Sequence, residues 1–232
     1  MIRTKYISFF IISIAILLTS ACKINKGFEA LDSYNYFEAK KHLEKSLKKN
    51  ESPAAFGLSQ IYFRTDNPFH NLDSAYHYSL LAVESFKESK SKKQKKWKKK
   101  LDFTLVKAKL QRKEISDLAF KNTVIQNSVV SYQSFIVKHP WSQFLELAEK
   151  RRDSLAFRKV ENIQTSAALE EYLHKYEKSE YRHKARSLLY LAQYDESVRA
   201  GNTRSYLYFI NQFPDNPLVR DAYYQVYLIE TK

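Results

Sequence analysis

Hydrophobic and polar positions repeat at an interval of 37 residues between Asn127 and Tyr223. Three copies align without a gap, and in each copy the apolar residues fall at i, i+3, i+4 and i+7, which is one face of a helix. A further aligned position, always alanine, follows on a second helix. Each copy therefore predicts a pair of helices. The aligned sets are Tyr132, Leu169 and Tyr206; Phe135, Tyr172 and Phe209; Ile136, Leu173 and Ile210; His139, Tyr176 and Phe213; and Ala148, Ala185 and Ala222.

Residues that begin and end helices recur at the same interval. Pro140 and Pro214 break the chain between paired helices, and Gly201 stands just after a helix, where Asn127 and Gln164 align with it. Six side chains can accept a backbone N–H as N-caps: Ser128, Thr165 and Asn202 before the first helices, and Ser142, Ser179 and Asn216 before the second. A helix pair is too small to bury its own apolar face, so the copies should stack.

Composition agrees with a helical fold. The 232 residues include only 3 Gly and 5 Pro, too few for the turns of an all-β fold, and 44% are hydrophobic, enough to bury a core. The sequence therefore predicts an all-α protein, an α-solenoid of antiparallel helix pairs with repeats of 34 to 37 residues.

A looser repeat precedes the regular one. Gly27, Ala39, Leu43 and Ser46 have the spacing of the consensus positions of a tetratricopeptide repeat, and this part of the chain resembles that family. We predict helices over Tyr36–Lys49, Ala54–Phe63 and Leu72–Phe86. The 37-residue copies are similar to the variant in the lipoprotein of the outer-membrane β-barrel assembly machine and in cell-envelope coordinator proteins. That resemblance implies a scaffold and names no activity.

Four regions follow from these patterns. Residues 1–22 are a targeting segment, residues 23–86 carry the tetratricopeptide-like repeats, residues 87–100 are a lysine-rich connection, and residues 101–232 form the regular solenoid. Leu118-Ala119-Phe120 recurs 37 residues later as Leu155-Ala156-Phe157. We therefore predict one helix from about Trp97 to Phe120, with the lysine run as a solvated segment that caps or precedes it.

The first 22 residues resemble a bacterial lipoprotein signal. Arg3 and Lys5 precede an apolar run, and Leu18-Thr19-Ser20-Ala21-Cys22 has the character of a lipobox, with Thr19 where the family usually has Leu. Cys22 is the chain's single cysteine and stands where lipid would be attached. The alternatives are an ordinary secretory signal or an anchor helix. With Lys23 and no Asp after the cysteine, the resemblance implies an outer-membrane, lipid-anchored protein facing the periplasm.

Nine lysines and one glutamate occupy residues 87–100. A solvated charge run is the plainer interpretation, and contact with anionic lipid headgroups or an acidic partner is the sharper one. Nucleic acid would also fit the charge, but an exported lipoprotein does not meet it, so we expect no nucleic-acid partner. The candidate contact residues are Lys92, Lys93, Lys95, Lys96, Lys98, Lys99 and Lys100.

No pattern of catalytic, metal-binding or cofactor-binding residues is found in the sequence. The 6 histidines are scattered, and 3 glycines cannot form a phosphate-binding loop. His139 takes a position held by Tyr176 and Phe213 in the other copies, which predicts a core role. We therefore expect a protein without enzymatic activity or cofactor.

Three tyrosines depart from the repeat. Tyr208 and Tyr224 take positions that are polar in the other copies, and Tyr227 lies one helical turn after Tyr224. They predict either a protein-binding patch or a cover for the end of the array. Two functions remain open: an adaptor that binds envelope or outer-membrane proteins on its solenoid, or a structural or assembly factor that binds anionic lipid, peptidoglycan or a β-barrel through the lysines.

Overall fold

The computed structural model describes residues 23–231, and the predicted signal segment with Cys22 lies outside them. Within that range the chain forms helices and no strand, and successive helices pack on one another, which confirms the all-α solenoid of antiparallel pairs. None of these helices combines the length and apolar character that a membrane span requires. The helices are α1 (23–32), α2 (Tyr36–Ser46), α3 (Glu51–Phe63), α4 (Leu72–Glu88), α5 (Ser91–Leu101), α6 (Leu105–Gln126), α7 (Val129–Lys138), α8 (Leu145–Ile163), α9 (Ser166–Lys175), α10 (Arg182–Val198), α11 (Thr203–Gln212) and α12 (Val219–Glu230).

The chain divides into two compact units, with the boundary inside α6 between Asn122 and Thr123. Unit 1 has a core built around Leu43 of α2, which is fully buried. Gly27 and Gly57 let two backbones approach this side chain, since a Cβ at either position would come within 2.9 Å of its carbons. Asn35 and Asn71 cap α2 and α4 by accepting the N–H groups of Glu38 and Ser74.

Unit 2 is three helix pairs, α7 with α8, α9 with α10 and α11 with α12. The predicted caps of the first helices are confirmed, because the side chains of Ser128, Thr165 and Asn202 each accept the backbone N–H three residues later. The three aligned residues also adopt one conformation, with φ 42° at Asn127, 54° at Gln164 and 62° at Gly201. Gly201 does not follow its helix directly as predicted, because α10 ends at Val198 with Arg199 at its C-cap.

The predicted caps of the second helices are wrong by two residues. Helices α8, α10 and α12 have Phe144, Tyr181 and Leu218 at the N-cap, and none of these is joined to its helix by a side-chain bond. The three predicted caps instead hold the preceding turn, each accepting the backbone N–H two residues later. They are Ser142, Ser179 and Asn216.

The repeated aromatic position is buried in all three copies, as the sequence predicts. Phe135, Tyr172 and Phe209 are each at most 2% exposed. Each ring contacts the ring four residues later, and His139 takes the aromatic place by stacking on Phe135 at 4.8 Å. Burial raises the pKa of Tyr172, whose hydroxyl lies 2.6 Å from that of Ser179.

The single helix predicted from Trp97 to Phe120 is wrong. The chain breaks at Asp102, whose φ is 48°, and α6 begins only at Leu105. The break turns Phe103 into the core, where it contacts Phe56, Phe86 and Trp97. Most of the lysine run forms a separate helix, α5, and all the lysines of this helix are exposed.

Candidate functional site

Helix α5 is attached to unit 1 along a narrow face. Trp97 is the buried residue of that face, and its Nε1–H donates to Oδ1 of Asn50 at 3.4 Å. Gln94, one turn earlier, donates to the carbonyls of Phe86 and Ser89 at 2.9 Å each. Leu101, one turn after Trp97, packs against the core. Three anchoring residues at helical spacing thus hold an otherwise cationic helix on the unit.

A cavity of about 390 Å³, called here the lysine cavity, opens beside Trp97. Its apolar wall is Ile24 of α1 together with Trp97 and Leu101 of α5. Five lysines border it, and no described residue on its border is acidic. The border lysines are Lys48 and Lys49, which follow α2, and Lys93, Lys96 and Lys100 of α5.

The seven candidate lysines therefore do not act as one group. Lys93, Lys96 and Lys100 border the lysine cavity, and within residues 23–231 they form no ion pair. Lys92, Lys95 and Lys98 do not line it. Lys99 borders a neighbouring cavity that is also lined by Glu29, Asp32, Asp102 and Glu114, and Lys100 borders both cavities. Near that second cavity Lys107 donates to Asp102, which lowers the pKa of this carboxyl.

A larger cavity in unit 2, of about 640 Å³, carries charges of both signs. Two ion pairs lie in its wall, Lys150 with Glu146 at 2.7 Å and Arg152 with Asp153 at 2.8 Å. The guanidinium of Arg152 also lies 5.3 Å from the ring centre of Tyr176. Five acidic and four basic side chains line this cavity, so it offers no large excess of one sign to a ligand.

The three tyrosines predicted from breaks in the repeat are all on the surface of unit 2. Tyr208 of α11 is 56% exposed, and Tyr224 and Tyr227 of α12 are 59% and 62% exposed. Among the described residues none of these rings stacks on another aromatic ring. Tyr223, which the prediction omitted, is exposed to the same degree as Tyr208.

Sequence reasoning missed a second apolar surface in unit 2, which we call the valine groove. It lies between α7 and α9, has a volume of about 390 Å³, and contains Val130 and Val137, which are 78% and 69% exposed. Lys138 and Lys175 stand at its border. The signal was present, because the two valines align with polar Arg204 and Asn211 in the last copy.

Within residues 23–231 no group of three or more His, Cys, Asp or Glu side chains is placed to hold a metal ion. The surfaces described above are suited to binding, since they consist of exposed apolar rings, exposed valines and exposed ammonium groups. Neither a protein-family model nor a curated protein matches this chain.

Proposed function

We propose that this protein is a lipid-anchored scaffold of the bacterial cell envelope that binds other envelope or outer-membrane proteins on its helical repeats and catalyses no reaction. The observation that supports it most is the exposure of apolar side chains at repeat positions that at least one other copy fills with a polar residue. Stacked helix pairs create extended surfaces for such binding. Clustered exposed aromatic residues are enriched at protein interfaces.

The proposed location is the periplasmic face of the outer membrane. Its support comes from the sequence: the apolar run, the single Cys22 after it, and Lys23 in place of an aspartate. To test the anchor, membranes of cells that carry Cys22→Ala are fractionated beside wild type. We expect the variant to be released from membranes or to accumulate as an unprocessed precursor. A variant that matures and fractionates like wild type would refute the lipid anchor.

Partner binding is tested with two variants whose new residues the chain already uses at the aligned positions. One carries Tyr208→Ser with Tyr224→Lys, and the other carries Val130→Arg with Val137→Asn. Because these are exposed positions, the melting temperature should stay unchanged. We expect at least one variant to lose the envelope protein that cross-links to wild type.

Each outcome of that experiment has a distinct meaning. Lost cross-linking at an unchanged melting temperature supports a binding surface. A lowered melting temperature for the tyrosine variant would mean that its rings stabilise the end of the repeat array and would assign them to folding. Wild-type cross-linking by both variants would contradict the proposal that these surfaces bind a partner.

A second function is favoured by the lysines of α5, which form no ion pair within residues 23–231, namely a structural or assembly factor that contacts anionic lipid, peptidoglycan or a β-barrel. Salt separates it from the scaffold. Contacts between exposed charges weaken as the Debye length falls from about 10 Å at 0.1 M salt to about 3 Å at 1 M. A complex that persists in high salt favours the apolar surfaces of unit 2, whereas one that dissociates at modest salt favours the lysines.

A further inference from the structure

We propose that the lysine cavity of unit 1 is a binding site for one anionic phospholipid, with the phosphate among Lys93, Lys96 and Lys100 and the glycerol and first methylene groups against Trp97. The inference deepens the proposed membrane association and rests on it for the location of the site. It assigns the lipid contact to part of α5 and its surroundings, whereas the charge of the segment alone assigns it to all seven lysines.

The charge of the cavity selects an anion. Five ammonium groups border about 390 Å³ of space without a carboxylate among the described border residues. Like charges around one cavity repel one another, and an anion between them reduces that repulsion. No ion pair within the described chain competes for Lys93, Lys96 or Lys100.

The wall of the cavity selects an amphiphile over a free anion. Ile24 and Trp97 are buried apolar side chains that form one side of the space, and Leu101 extends it. Tryptophan is one of the side chains enriched at the membrane–water interface. The volume falls in the range of about 300–1,000 Å³ that small-molecule sites occupy.

The position of the cavity in the chain agrees with a lipid ligand. Ile24 is only two residues after Cys22, so a lipid attached to Cys22 would bring this wall to the membrane surface. Near an anionic membrane lysines are attracted to lipid headgroups, which favours three lysines around one headgroup. Acidic protein segments would meet the lysines equally well, and the titration below separates them from lipid.

The test uses the full chain with Trp141→Phe, which leaves Trp97 as its only tryptophan. The protein is titrated with dihexanoylphosphatidylglycerol below its micellar concentration, and Trp97 fluorescence reports on occupancy. We expect a saturable change. Dihexanoylphosphatidylcholine, which has the same acyl chains and no net charge, should bind at least about tenfold more weakly.

Two triple variants each remove three positive charges from α5. Lys93→Gln with Lys96→Gln and Lys100→Gln should weaken phosphatidylglycerol binding by at least about tenfold. The matched control, Lys92→Gln with Lys95→Gln and Lys98→Gln, changes lysines that do not line the cavity and should bind within about threefold of wild type. If both variants weaken phosphatidylglycerol binding equally, the lipid is attracted by the overall positive charge of α5, and the proposed site is overturned.

Two other ligands separate the possible sources of the anion. If glycerol 3-phosphate binds as tightly as the lipid, the cavity is a site for small anions. If a glutamate peptide binds more tightly than the lipid, the cavity is a site for acidic protein segments. Either result, or the absence of saturable lipid binding, overturns the proposal. The titration is done in solution and does not depend on lipid at Cys22, while fractionation of Cys22→Ala does not depend on the cavity. Failure of the site and failure of the anchor are therefore distinguishable.

Discussion

In unit 1, helix α3 is buried on nearly every side, whereas in unit 2 each first helix buries one aromatic stripe. Six of the eight buried residues of α3 have small side chains, and its serine hydroxyls are satisfied inside the unit, as when Ser52 donates to the carbonyl of Ala82 at 2.6 Å. Helices α9 and α11 bury only two residues each, among them Tyr172 and Phe209. Unit 1 therefore depends on close backbone approach, and unit 2 depends on large rings.

This difference predicts which substitutions should destabilise each unit most. Close-packed small residues leave no room for added atoms, so unit 1 should be sensitive to enlargement. A unit held by single large rings loses most of a contact surface when one ring is removed, so unit 2 should be sensitive to truncation. The glycines beside Leu43 and the rings at the 37-residue positions are where this contrast can be measured.

The largest effect is expected from ring truncation in unit 2. Phe135→Ala, Tyr172→Ala and Phe209→Ala should each lower the free energy of unfolding by about 3–5 kcal/mol, because each empties a buried site. Chemical denaturation followed by circular dichroism measures it. The exposed neighbours Lys138, Lys175 and Gln212 serve as controls and should tolerate Ala within about 0.5 kcal/mol. Similar losses from both sets would mean that the rings do not carry the packing of unit 2.

A smaller effect is expected from enlargement in unit 1. A Cβ at Gly57 would lie 2.8 Å from Cδ1 of Leu43, so Gly57→Val should cost about 1–3 kcal/mol of unfolding free energy. Leu43→Val removes both δ carbons, and in that background the cost of Gly57→Val should fall. A double-mutant cycle measures this coupling. Additive costs would show that Leu43 is not what limits the size of residue 57.

The regular part of the fold could be predicted because the same physical requirement recurs three times. The buried ring, the caps of the first helices and the positive φ at Asn127, Gln164 and Gly201 each follow from aligned residues. His139 was predictable as a core residue for the same reason, since its neighbours in the alignment are aromatic.

The irregular part could not be predicted, because distant segments determine it. Nothing local marks Asp102 as the end of a helix, although Asp tolerates a positive φ better than most residues. What fixes the break is Phe103, which packs against Phe56 of α3 and Phe86 of α4. The lysine cavity could not be predicted for the same reason, since its residues come from α1, the segment after α2, and α5.

The smallest effect is expected at Gly201, where unit 2 can be compared with itself. No heavy atom lies within 4 Å of a Cβ placed there, so a substitution changes only the backbone preference at φ 62°. Gly201→Ala should cost about 1–2 kcal/mol, the penalty of a left-handed conformation, while Gly201→Asn should cost less because Asn tolerates it and Asn127 already adopts it. In the reverse direction, Gln164→Gly should raise the free energy of unfolding, since it relieves the same penalty at φ 54°. Thermal denaturation of the three variants gives the order directly, and a neutral Gly201→Ala together with a destabilising Gln164→Gly would contradict a shared left-handed position in the repeat.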